Sequence, residues 1–193
     1  MMNKKTKTRK NILTLVECAM MIALGTALSF VKFWEMPYGG SITLLSMLPV
    51  CMIAIRHNMA WGLLGAFVYG CLQMLVSGAA GWGLTFWVFV ICLLFDYILA
   101  FTVLGFSGMF KRFGFGGKLF GIAMVCILRF VCHYISGITI WANSIPKNFI
   151  DQFGANPYLY SLVYNGSYMG IELVLTVLGG FFVIKALEKR NIA

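Results

Sequence analysis

Three ionisable side chains, Asp96, Arg129 and Glu172, stand inside long apolar stretches of this 193-residue chain, and His133 follows Arg129 by one helical turn. A charge at the centre of a membrane-spanning helix costs about 2.5–3.5 kcal/mol on insertion scales, so such residues are functional candidates by default. One reading is structural: Arg129 pairs with Glu172 or with Asp96 and fastens two helices together. The other is chemical. A lone carboxylate at Asp96 suits an organic cation, provided aromatic faces surround it.

Those faces are present at the right spacing. His133, Gly137 and Trp141 follow i, i+4, i+8, so they share one helix face, where a ring-sized groove is expected beside the glycine. The bland alternative is a satisfied core histidine, a helix-packing glycine and a tryptophan in the interfacial belt. Tyr160, Tyr164 and Asn165 cluster near the start of the last apolar run, and a buried amide such as Asn165 demands partners. Tyr97 neighbours Asp96, although adjacent helical residues point in different directions.

The elements that must position these groups are apolar runs at about 12–31, 41–55, 60–77, 85–110, 117–141 and 157–187. With 61% hydrophobic and 11% charged residues, the chain exceeds what a soluble surface accommodates, since ordinary domains carry about 25% charged residues. An all-α integral membrane protein of six transmembrane helices is expected, as one transmembrane domain over 1–193 with a short basic tail at about 1–10. The second run is short for a span and contains Pro49, so a tilted, kinked or re-entrant segment is expected there. Asn156-Pro157 supplies an N-cap and a first-turn proline for the last helix.

The net charge of +9 is distributed by topology. With the N-terminus in the cytoplasm, Lys4, Lys5, Lys7, Arg9, Lys10, Arg56, Lys111, Arg112, Lys118, Lys185, Lys189 and Arg190 lie inside. Only Lys32 and Lys147 lie outside, so the basic balance orients the protein and argues against a nucleic-acid partner. Both termini are then cytoplasmic. In the first run, Ala19, Ala23 and Ala27 recur every four residues beside Gly25, a stripe that packs internally or against another membrane protein.

Several chemistries find no support. The six cysteines lie in apolar runs without a C-x-x-C pair, Gly114–Leu119 lacks the spacing of a phosphate-binding loop, and no HExxH pair or G-x-S-x-G elbow occurs. Neither an enzyme nor a metal or cofactor site is expected. Uptake against a gradient would need energy from a partner or an ion.

The residues named so far, in their local context, resemble the thiamine-specific substrate-binding component (S component) of the energy-coupling factor (ECF) vitamin transporters. The likeness runs from about Glu17 to Leu187. It rests on Pro37-Tyr38-Gly39-Gly40-Ser41 with Ser46-Met47-Leu48-Pro49, on Phe95-Asp96-Tyr97-Ile98-Leu99-Ala100-Phe101, on Arg129–Gly137 ending at Trp141, and on Tyr160–Tyr168. The resemblance implies a six-helix S component in a prokaryotic cell membrane, with thiamine bound near the outer face beneath the first loop. It also implies site roles: Asp96 facing the thiazolium cation, His133 and Asn165 as polar contacts, Tyr97, Trp141 and Tyr160 around the rings, Gly137 on the floor, and Arg129 nearby. The implied partners are a transmembrane coupling protein and two cytoplasmic ATPases, with Ala19, Ala23 and Ala27 as the docking face and a loaded S component that topples in the membrane. Two departures stand out. Some members carry glutamate at Asp96, and some carry a first-loop tryptophan where this chain reads Gly39-Gly40, leaving Trp34 and Trp82 as candidates for that contact. An S component for another vitamin or precursor and a proton-coupled carrier using Asp96, Arg129 and Glu172 are the competing readings.

Overall fold

The computed structural model describes residues 4–36, 39–142 and 145–190, so Pro37 and Tyr38 of the first-loop motif lie outside the described residues. Helix α1 (Lys4–Ser29) already includes most of the expected basic tail. Then come a two-stranded antiparallel hairpin, β1 (Lys32–Glu35) and β2 (Ser41–Thr43), and the helices α2 (Met47–Arg56) and α3 (Met59–Val76). The fourth pass is composite: α4 (Phe86–Cys92), a π-helical stretch Leu93–Leu99, α5 (Ala100–Thr102) and a 3-10 stretch Val103–Gly108. Helices α6 (Gly114–Thr139), α7 (Lys147–Phe153) and α8 (Pro157–Lys189) complete the chain. The fold is that of a predominantly helical membrane protein, and each of the six expected apolar runs holds a helix, although the second holds only the ten-residue α2.

Two details differ from expectation. The second run does not begin as helix at Ser41: its first residues form β2, and α2 occupies only ten positions, about 15 Å of a hydrocarbon layer about 30 Å thick. From Met47 to Ile55 every residue of α2 is buried, as expected of a helix apolar on all sides. The hairpin therefore stands where a second half-span would be. Non-helical backbone at such depth is tolerated where protein covers it or a cavity adjoins it, and β2 meets both conditions. The helix α7 was not anticipated, because Lys147–Phe153 is short and polar.

Caps and small residues explain the helix ends and contacts. The Asn58 side chain accepts from the Trp61 N–H (3.0 Å) to open α3, and Asn156 accepts from Tyr158 and Leu159 (3.0 and 3.2 Å) to open α8 with Pro157 in its first turn. The Lys111 ammonium ends α2 by donating to the carbonyls of His57 (2.6 Å), Ala54 and Ile55. Partial burial, with Lys118 nearby, lowers the Lys111 pKa from its ordinary value. A Cβ on Gly105 would lie 2.5 Å from the backbone of Leu63, so the 3-10 stretch packs backbone to backbone on α3. At the same end Arg56 meets Glu17 at 2.5 Å and Lys118 meets Glu188 at 2.9 Å, gathering these basic groups away from the hairpin.

Candidate functional site

Between the hairpin, α3, the π-helical stretch, α6 and α8 lies a cavity of about 200 Å³. Asp96, Tyr97, Arg129, His133, Gly137, Trp141, Tyr160 and Asn165 all line it. Three separated segments of the sequence therefore converge on one space. The π-helix explains one point that periodicity gets wrong. Its i→i+5 turn is wider than an α-turn, so adjacent side chains diverge less, and both Asp96 and Tyr97 reach the cavity.

Asp96 is held by donors from α6, from Trp141 just beyond it and from Cys92 on α4. One carboxylate oxygen takes His133 Nδ1 at 2.9 Å; the other takes the Ser136 hydroxyl at 2.6 Å, with Trp141 Nε1 at 3.5 Å and Cys92 Sγ at 3.4 Å. These contacts orient the carboxylate, and its side chain keeps 14% exposure toward the cavity. His133 Nε2 is buried without a hydrogen-bond partner among the described residues. With Nδ1–H on Asp96, Nε2 carries a lone pair and can accept from a ligand N–H or O–H.

Helix α8 supplies the polar and aromatic wall. Asn165 donates through Nδ2 to the His133 carbonyl (3.2 Å) and the Ser161 carbonyl (3.1 Å), and its oxygen accepts from the Tyr168 hydroxyl (3.0 Å). The amide is thus fixed by both α6 and α8, as a buried amide requires. Tyr160, Tyr164 and Tyr168 form a ladder with ring centroids 5.7 and 6.0 Å apart. Gly137 lines the cavity, but it does not leave a groove for a ring: a Cβ there would collide with Ser161 Oγ and lie 3.2 Å from Asn165 Nδ2. Its missing side chain brings α8 against α6.

The structural pairing of Arg129 is not found. Among the described residues neither Glu172 nor Asp96 forms an ion pair with it; NH1 lies 2.7 Å from Met47 Sδ and the guanidinium stacks 4.2 Å over Phe101. Arg129 Nε is buried without a hydrogen-bond partner among the described residues. Glu172, 2% exposed, instead accepts from the Thr43 backbone N–H and from the Thr43 hydroxyl (2.8 Å), and that hydroxyl lies 2.6 Å from Ser46 Oγ. The carboxylate fastens the root of the hairpin to α8. Sequence reasoning missed Ser161, Tyr168 and Thr43 on the cavity and Ser136 as a donor to Asp96; of the two tryptophans it offered for the lid contact, Trp82 lines the cavity and Trp34 does not. Ser136 stands one residue before Gly137 and four before Ile140, and nothing but its hydroxyl inside an apolar run marked it. Away from the cavity, Ala19, Ala23 and Ala27 are exposed on α1, while Gly25 faces inward against the Ser46 carbonyl and Tyr69.

Comparisons with known proteins bear on this arrangement. The family described as thiamine transporter protein (Thia_YuaJ) matches residues 15–191. Thiamine transporter ThiT of Bacillus subtilis (strain 168) is 33% identical over 174 residues, covering 83% of this chain and 84% of that protein. Thiamine transporter ThiT of Lacticaseibacillus paracasei is 24% identical over 186 residues, covering 87% and 85%. A solved structure of ThiT from Listeria monocytogenes superposes with a TM-score of 0.69 at 26% identity, covering 94% of this chain and 96% of that one.

Proposed function

Since the chain belongs to the thiamine transporter family, we propose that its cavity holds thiamine with Asp96 as counter-charge to the thiazolium ring. The chain is a membrane S component for thiamine uptake and not an enzyme. In the proposed site, His133 and Asn165 supply polar contacts, Tyr97, Trp141 and Tyr160 surround the rings, Gly137 sets the spacing of α6 and α8, and Arg129 borders the deep part of the cavity. One observation carries this reading: a carboxylate oriented by His133, Ser136, Trp141 and Cys92, with no lysine or arginine on it among the described residues, opens into an aromatic chamber. A cation entering that chamber gains a counter-ion without displacing a lysine or arginine from it.

The energy for uptake comes from outside the chain in this proposal: a transmembrane coupling protein and two cytoplasmic ATPases. The exposed stripe Ala19, Ala23 and Ala27 on α1 suits the docking of a helix, because small side chains let backbones approach closely. Residues 1–193 act as a single transmembrane domain in a prokaryotic plasma membrane, with both termini cytoplasmic; the gathering of Arg56, Lys111 and Lys118 away from the hairpin supports that orientation. Reconstitution tests the scheme. Liposomes with this chain, the coupling protein, the ATPases and internal ATP should accumulate thiamine, and liposomes with this chain alone should not. Accumulation by the chain alone under a proton gradient would overturn the partnered mechanism.

A further inference from the structure

Trp82 follows the 3-10 turn Ala79–Gly81 in the connection between α3 and α4, far in sequence from the residues discussed above. Its indole lines the cavity and meets Trp141 edge to face, with centroids 5.7 Å apart and planes at 68°. It also meets the hairpin loop: a Cβ on Gly39 would lie 3.2 Å from Cη2 and 3.3 Å from Cζ2 of the indole. Gly39 also has φ +96°, a conformation that L side chains rarely adopt. The next residue, Gly40, donates its N–H to the Tyr164 hydroxyl at 3.3 Å, and a Cβ there would lie 3.0 Å from both Tyr164 and Tyr168. The loop thus crosses the cavity on two bare backbone positions, one against Trp82 and one against the tyrosine ladder. Trp34, on β1, is 57% exposed and takes no part in the lining.

We infer that Trp82 touches the ligand as the roof of the site beside Trp141 and is the seat on which the Gly39–Gly40 segment closes. This inference rests on the thiamine reading. An indole face held by an edge-to-face partner is a strong surface for a cationic ring. Because the roof is also the seat of the loop, losing it opens the exit, and the effect falls mainly on release.

The test uses the full-length protein purified in detergent, with thiamine as the probe, radiolabelled for release rates and titrated calorimetrically for the dissociation constant. Trp82→Ala should speed release about tenfold or more and raise the dissociation constant in parallel, while Trp82→Phe should stay within about threefold of wild type. Trp34→Ala should match wild type. Gly39→Ala should speed release, and should do so less in the Trp82→Ala background, where the ring its Cβ strikes is gone. Additive effects of those two substitutions would overturn Trp82 as the seat of the loop. If Trp82→Ala is not monodisperse, Trp82→Leu is judged by the same criteria. Wild-type release from the Trp82 variant, or a larger effect at Trp34, overturns the assignment. A wild-type protein that binds no thiamine overturns the assignment together with the reading beneath it, whereas an intact response at Asp96 with none at Trp82 overturns the roof alone.

Discussion

Replacing Asp96 with Asn keeps the shape of the side chain and removes its charge. The amide retains one acceptor oxygen, but its NH2 must face either the Ser136 hydroxyl, now at 2.6 Å, or His133 Nδ1, now at 2.9 Å. A hydrogen bond to a charged group is worth about 1.5–3 kcal/mol. Losing a counter-ion about 5 Å from a cation at an effective dielectric near 20 costs about 3 kcal/mol, which bounds the effect from above. At about 1.4 kcal/mol per decade, the thiamine dissociation constant should rise about 10- to 150-fold. Asp96→Glu keeps the charge and should fall well below that range. Equilibrium titration of the purified protein, followed by intrinsic fluorescence of its five tryptophans and repeated by calorimetry, gives both constants. A dissociation constant for Asp96→Asn within threefold of wild type would refute the counter-charge argument.

Trp141→Ala should weaken thiamine binding and reduce ligand quenching of tryptophan fluorescence; unchanged binding would return Trp141 to the interfacial belt. Gly137→Ala drives a methyl into Ser161 and toward Asn165, so the thermal unfolding midpoint should fall, by an overpacking cost of about 1–3 kcal/mol, and thiamine affinity should fall with it. Thr43→Val strips Glu172 and Ser46 of a hydroxyl partner and should destabilise the protein by about 1–3 kcal/mol in the same melting assay. Ala23→Trp, on the exposed stripe of α1, should leave thiamine titration unchanged and abolish uptake by liposomes containing the coupling protein and ATPases.

Periodicity made parts of the site legible, because α6 is regular: His133, Gly137 and Trp141 share a face in the sequence and share the cavity in the structure. The cap at Asn156 was equally plain, since asparagine followed by proline has one good use at a helix start. Where the backbone leaves the α-helix, periodicity fails. Tyr97 looked as if it turned away from Asp96 because an α-helical turn was assumed for what is a π-helix. Ser41–Thr43 read as helix because apolar content alone does not separate a strand beside a cavity from the end of a span. Arg129 and Glu172 are opposite charges at matching depth, and pairing them was reasonable on that basis. The hairpin supplied Glu172 with a backbone N–H and a hydroxyl, and Met47 with Phe101 received the guanidinium. The partner of Glu172 was not visible without knowing that a strand reaches this depth.

The most direct measurement is an experimental structure of the protein with thiamine bound, and in it the distance from the ligand's quaternary nitrogen to the Asp96 carboxylate. An opposite charge acts strongly within about 4–6 Å, so the account predicts a separation in that range, with Trp141 against the ring. Thiamine seated elsewhere, with its cation remote from Asp96 and the His133–Ser136 cage around that carboxylate undisturbed, would contradict it.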